Sequence, residues 1–159
     1  MDVSPAERAE HAIKAAGIAF ETTRHGRVSS LAEAAAARGL TPDRVLKSIV
    51  IRRAEDDFLF VLVPGGRTIS WPKLRSLLSV NRLSMPGADE ALAVTGYERG
   101  TITPFGSLTA LPVIADTSIP AGPVSIGGGA HGTAFTADSA DLMLCLGART
   151  ADVTEAERT

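Results

Sequence analysis

Cysteine, tryptophan and tyrosine each occur once in these 159 residues, aromatic residues make up only 4% of the chain, and the three histidines stand far apart. The single cysteine, Cys145, excludes an internal disulfide. It lies in the apolar run Leu142-Met143-Leu144-Cys145-Leu146, read as the buried face of a helix, where packing outweighs a nucleophilic role. His11, His25, His131 and Cys145 have no ligand spacing, so neither a metal centre nor a cofactor is expected. No Gly-x-Ser-x-Gly elbow occurs, and a serine triad is not indicated. No apolar run approaches the length of a membrane span, and Met1-Asp2-Val3-Ser4-Pro5 lacks a basic-then-apolar leader pattern; the expectation is a cytoplasmic protein with no membrane partner. A chain of this size is expected to form one domain over residues 1–159, with a core large enough to need no staples.

Net charge is also low, at -2, which argues against a nucleic-acid partner only if the charges are evenly spread. They are not. Between Arg24 and Arg82 there are eleven Lys or Arg, Arg27 among them, against five acids, while acids dominate the carboxy-terminal tail. Two readings stand: a basic side able to meet phosphates, or a solvated surface whose charges point in several directions.

What is present is an alternation of α and β signals with no internal repeat. Ser4-Pro5-Ala6-Glu7 carries the cap, first-turn proline and glutamate of a helix start, with a stop near Gly17. A short strand is expected over Ile18–Thr23 and an Ala-rich helix over Ser30–Arg38, ended by Gly39. Thr41-Pro42-Asp43 starts a short helix through Leu46 and delivers Lys47 to a strand. Ser48–Arg52 and Phe58–Val63, separated by Glu55-Asp56-Asp57, read as a hairpin ended by Pro64-Gly65-Gly66. Ser70 caps a helix over Trp71–Leu78, and another short helix covers Asp89–Val94. Strands come next at Val113–Ala115, Val124–Ile126 and Thr133–Thr136, then a helix over Asp138–Leu146 ended by Gly147. The fold class is α/β (α+β): a mixed, strongly curved or barrel-like sheet with peripheral helices.

Thr95-Gly96-Tyr97-Glu98-Arg99-Gly100-Thr101-Ile102-Thr103-Pro104 is the segment with most functional content. Its glycines free the backbone for positive φ or close approach, and Pro104 stiffens the end of the segment. By itself it is either a plain turn or a binding surface made of main chain.

Taken with Val45-Leu46-Lys47-Ser48-Ile49-Val50, Leu62-Val63-Pro64, Leu111-Pro112 to Asp116, and Gly127-Gly128-Gly129, this loop resembles the YbaK/prolyl-tRNA-synthetase-associated domain family over about residues 25–153. The resemblance implies a small α/β domain that hydrolyses the ester between a wrong amino acid and its tRNA. The chain contains no synthetase catalytic or anticodon-binding domain, so the implied action is in trans on mischarged tRNA, with prolyl-tRNA synthetase or an elongation factor as further partners. Cys-tRNA(Pro) or Ala-tRNA(Pro) is the implied substrate.

Residue by residue, the resemblance places Lys47 at the active site for binding and charge stabilisation, where an exposed strand-edge charge is the bland alternative. Gly100, Thr101, Ile102, Thr103 and Pro104 hold the acyl group and attacking water, with amides toward the oxyanion. Thr95 and Gly96, with Gly128 and Gly129, border the substrate, and Asp116 pins a loop. Two departures stand out. Gly100-Thr101 replaces a glycine pair, and Ala130-His131 replaces an arginine pair, leaving His131 as a partial substitute cation or an exposed loop residue. Trp71 is either a stacking platform or a core edge. The alternatives to a deacylase are a non-catalytic tRNA- or synthetase-binding module of the same fold, and a small-molecule-binding domain with no RNA role.

Overall fold

The computed structural model describes residues 3–26 and 28–158; Met1, Asp2 and Arg27, which enter the readings above, lie outside the described residues. Helix α1 (Pro5–Ala15) starts as its sequence dictates: the Glu7 N–H donates to Ser4 Oγ at 3.2 Å, and Ser4 Oγ donates to the Glu7 carboxylate at 3.1 Å. Strand β1 (Glu21–Arg24) begins three residues later than its apolar pattern, because Ile18 and Phe20 go to the core while Glu21–Arg24 pair with residues 133–136. Helix α2 (Leu31–Ala37) is capped by Ser30 Oγ, which accepts the Glu33 N–H at 3.1 Å.

The helix expected through Leu46 is instead a single 3-10 turn, Pro42–Arg44. Val45 forms a bridge to Ser125 and Leu46 pairs with Pro64, so sheet hydrogen bonds take the two residues that would have continued it. Strands β2 (Leu46–Ala54) and β3 (Asp57–Pro64) form the expected antiparallel hairpin, turning at Glu55-Asp56 with Asp56 at φ 56°. Then come β4 (Arg67–Ile69), α3 (Trp71–Leu78), α4 (Ala88–Thr95), β5 (Val113–Asp116), β6 (Pro123–Gly127), β7 (Thr133–Asp138), α5 (Ser139–Cys145), β8 (Arg149–Ala151) and β9 (Thr154–Ala156). Ser70 occupies the cap position of α3 without a side-chain cap bond; it is buried, and its N–H donates to Val153 O at 2.9 Å. Pro72 in that first turn already removes one orphan donor.

The strands form three sheets: β1-β7-β6, the mixed β2-β3-β5-β8, and the pair β4-β9. The Val45–Ser125 bridge joins the first two along a curved path, but the sheets do not close into a barrel. Alternation in β3 explains the layering. Phe58, Phe60 and Leu62 enter one core with Leu46, Val50, Val124, Ile126 and Phe135, whereas Leu59, Val61 and Val63 enter a second with Ile51, Ile69, Leu74 and Val153. Trp71 packs at the edge of this second core. In α5, Leu142 is buried, Cys145 is partly buried and Leu144 is 83% exposed, so only part of the apolar run faces inward. Burial, with Asp141 nearby, raises the Cys145 thiol pKa.

Asp116 ties the end of β5 to the β8–β9 corner. Its carboxylate accepts the Val153 N–H at 2.9 Å and the Ser118 N–H at 3.0 Å, and it also accepts from the Ser118 hydroxyl. Burial alone pushes this carboxyl up, but the bonds from Ser118, Val153 and Thr154 outweigh it and hold the pKa below the ordinary value of 3.8. Because the folded pKa is depressed, the contribution is complete above the unfolded value and is lost as pH falls through the folded one. Asp116→Ala is therefore expected to cost about 3 kcal/mol at neutral pH. Denaturant midpoints followed from neutral pH to about pH 2 should converge for wild type and variant at the acid end; a constant gap would contradict the assignment.

Candidate functional site

The Gly96–Gly106 loop is held from beneath. Arg8 of α1 donates from Nε to Gly106 O at 2.7 Å and from Nη2 to Gly96 O at 2.9 Å, with its guanidinium 4.6 Å from the centre of the Tyr97 ring. The fully buried Tyr97 donates its hydroxyl to Phe105 O at 2.6 Å. Burial raises the phenol pKa against the opposing influence of Arg8, which keeps the donor protonated. Gly96 (φ 79°) and Gly106 (φ 74°) sit where a Cβ would strike this clamp: Arg8 Nη2 lies 2.4 Å from the Gly96 position and Arg8 O lies 2.7 Å from that of Gly106.

Thr95 is fully buried; its hydroxyl donates to Ala91 O at 2.8 Å and accepts the Tyr97 N–H at 3.1 Å, closing the end of α4. Thr101 and Thr103 are also buried. Thr101 Oγ1 donates to Glu98 O at 2.8 Å, and Thr103 Oγ1 accepts the Phe105 N–H at 3.4 Å. Pro104 O accepts the Ser107 N–H at 3.4 Å. By contrast, the N–H groups of Gly100 and Ile102 have no partner among the described residues.

Gly100 and Ile102 form one wall of a cavity of about 380 Å³, whose other walls are Val45 with the start of β2 (Leu46 to Val50), Met85-Pro86 and α4. The chamber is mainly apolar. A second, more polar lobe of about 540 Å³ adjoins it, lined by His25, Gly26, Val28, His131 and Gly132. Arg38 and Gly100 line both.

Lys47 thus meets Gly100 and Ile102 at the same cleft, but its Nζ donates to Arg67 O at 2.7 Å and pairs with Glu157 at 3.2 Å, and neither partner lines the chamber. Gly128 and Gly129 are buried behind the wall. Their N–H groups donate to Thr133 O at 2.9 Å and Thr101 O at 3.2 Å, and a Cβ at Gly129 would lie 2.7 Å from Pro5 O. His131 stands in the polar lobe, exposed and 3.5 Å from the Glu98 carboxylate. Trp71 does not line the cleft.

Several lining residues were not among the sequence candidates. Gly127 approaches so closely that a Cβ would lie 2.8 Å from Ile102 O. Ser48, one residue past Lys47, shares the inward face of β2 with Leu46 and Val50, and its Oγ is buried without a partner among the described residues; its place between these two apolar residues of the alternating strand is the signal that points to it. Arg38 ends α2, donates from Nη1 to Ser125 Oγ at 2.9 Å, and has its pKa lowered by burial. Nothing in its sequence context separates it from other helix-end cations.

Residues 25–145 match the family model described as an aminoacyl-tRNA editing domain. The chain is 31% identical over 99 residues to a proline–tRNA ligase of Lactobacillus gasseri, covering 62% of this chain and 17% of the ligase. It is 31% identical over 90 residues to that of Trichlorobacter lovleyi, covering 57% and 16%. The chain thus spans about one sixth of these relatives' length. A solved structure of a candidate trans-editing enzyme for prolyl-tRNA synthetase superposes with a TM-score of 0.86 at 26% identity, over 97% of this chain and 99% of that one. With the matched region containing β2, the Gly96–Gly106 loop and the triple glycine, the chain belongs to the aminoacyl-tRNA editing domain family.

Proposed function

We propose that this protein is a trans-acting deacylase that hydrolyses the ester between tRNA and a small, wrongly attached amino acid, alanine or cysteine on tRNA(Pro). One observation carries the reading: Gly100 and Ile102, whose N–H groups have no partner among the described residues, line an apolar chamber that also receives the start of β2. Such amides suit the oxyanion of acyl transfer, and the chamber suits a short side chain without charge. Water attacks the ester carbonyl carbon. Collapse of the oxyanion breaks the bond to the ribose 3′ oxygen, which takes a proton and leaves as the hydroxyl. An aminoacyl ester is already activated, so orientation supplies much of what is required.

In this reading the Gly100–Pro104 segment holds the acyl group and water, with Thr101, Thr103 and Pro104 fixing its shape from below. Thr95, Gly96, Gly128 and Gly129 act by supporting that wall, and His131 stands on the nucleotide side. Lys47 supplies positive charge at the edge of the site. Its exposed pair with Glu157 is worth at most about 1 kcal/mol, so the ammonium is free to exchange that partner for a ribose hydroxyl or phosphate.

Binding of tRNA is supported by a second surface. Arg52, Arg53, Arg75 and Arg82 border one groove. Arg53 is held by Asp57 at 2.8 Å, while no carboxylate pairs with Arg75 or Arg82 among the described residues. The groove runs into the cleft along two backbones: Arg52 and Ser84 exchange hydrogen bonds of 2.7 and 3.1 Å, and two residues further the same segments reach the chamber at Val50 and Pro86. Phosphates on such a surface place a 3′ end in the site.

A non-catalytic tRNA- or synthetase-binding module is the second reading, favoured by the engagement of Lys47 with Glu157. Steady-state deacylation of Ala-, Cys-, Ser- and Thr-charged tRNA separates the two. The deacylase reading expects turnover of the alanyl or cysteinyl species, reduced roughly a hundredfold in kcat/KM by Lys47→Ala; no turnover above that of the variant for any species would leave only the binding module. Arg75→Glu with Arg82→Glu is expected to weaken tRNA binding and flatten its dependence on salt, with the unfolding midpoint unchanged. Equal salt slopes for wild type and variant would remove the groove from the tRNA path.

A further inference from the structure

Arg38 occupies a place that folding alone does not account for. Its side chain is largely buried at the waist between the apolar chamber and the polar lobe. No carboxylate pairs with it among the described residues, and no acid lines either cavity. Its protein partner is the hydroxyl of Ser125, 2.9 Å from Nη1, while Nε is buried with no partner among the described residues. The other charged groups nearby are cationic or already matched: Arg99 and Lys47 on the chamber wall, Lys47 paired with Glu157, and at the rim Glu98 beside His131. The carbonyl end of α2, a helix of seven residues, offsets only part of a buried positive charge.

A guanidinium taken out of water without a counter-charge is costly, and a neutral residue of similar volume would span the same gap more cheaply. An anionic ligand removes that cost. Guanidinium carries N–H donors in a planar fork that matches phosphate oxygens, and only one of these is given to Ser125. Position names the anion. Arg38 and Gly100 are the two residues common to both lobes, so an ester seated at the Gly100 amide brings its own ribose to the waist and directs the 5′ side of that nucleotide past Arg38.

We infer that Arg38 binds the phosphate on the 5′ side of the terminal nucleotide of the substrate, with the polar lobe taking the nucleotide and the apolar chamber taking the acyl group. The inference rests on the editing reading for the identity of its ligand. It concerns the phosphate alone, and it can be examined without turnover.

AMP and adenosine, which differ by that phosphate, serve as probes of binding followed through backbone amide shifts. Wild type is expected to bind AMP about tenfold more tightly than adenosine, with the largest shifts at Gly100, His131 and Gly132. In Arg38→Gln the preference should fall to about one while adenosine binding is retained, and Arg38→Lys should keep part of it. The same contrast extends to turnover: 3′-O-alanyl-AMP should be hydrolysed with a kcat/KM about tenfold above 3′-O-alanyladenosine by wild type and equally by Arg38→Gln. A loss that strikes both esters or both nucleotides alike would mark Arg38 as a structural tie to Ser125 and overturn the inference. So would a wild type that does not distinguish AMP from adenosine. If AMP is selected through Arg38 while neither ester is cleaved, the phosphate site stands and the deacylase reading falls.

Discussion

Burial of β3 on both faces is the constraint on which the rest of the molecule depends. A strand reading Phe58-Leu59-Phe60-Val61-Leu62-Val63 has no side to offer to water. One face needs β6 and β7 to cover it and the other needs α3 and the β9 corner, and the two cores that result set the positions of all remaining elements. The hairpin partner β2 inherits an asymmetric place. It pairs with β3 on one side, and on the other its first residues open onto the cleft, apart from the Val45 bridge. The same edge that lacks a strand partner is therefore available to a ligand.

The opposite wall is irregular backbone, and it is rigid because charged and aromatic groups hold it from below. Arg8 accounts for two of its carbonyls and stacks on Tyr97, whose hydroxyl takes a third. Threonines 95, 101 and 103 satisfy further main-chain groups from buried positions. This division of labour leaves the amides of Gly100 and Ile102 without a partner among the described residues. In the proposed deacylation such a wall is preorganised, with donors that need little rearrangement to meet developing negative charge.

Charge is arranged with the same economy. The chain is slightly acidic overall, yet the described residues lining the cleft are basic or neutral, with Arg38 at the centre, and the adjoining groove sets four arginines, Arg75 and Arg82 among them, against one acid, Glu55. Acids such as Glu157 and Asp152 are drawn to Lys47 and Lys73 on the β4–β9 side. Field lines from such a surface favour a polyanion whose end enters the cleft.

Much of this was legible in the chain itself. The helix-start pattern Ser4-Pro5-Ala6-Glu7, glycine stops at Gly17, Gly39 and Gly147, and the alternating apolar runs of β2 and β3 are local signals, written in residues close in sequence. The Lys47 strand start and the Gly96–Pro104 loop became legible as a pair only through the family resemblance, because local signals left the loop as a turn or a binding surface and Lys47 as a strand-edge charge. Strands β4, β8 and β9 were not legible, because Arg67-Thr68-Ile69, Arg149-Thr150-Ala151 and Thr154-Glu155-Ala156 become strands only when a distant edge supplies their hydrogen bonds. The helix through Leu46 was lost to the same force. Which side chains face the cleft was a tertiary decision: the engagement of Lys47 with Glu157, the retreat of Gly129 behind the wall, and the arrival of Arg38 at the waist each depend on contacts across about 28 to 110 residues of chain. Local pattern determines which elements exist; only the packing of distant elements decides which polar groups are consumed in holding them and which are left for a ligand.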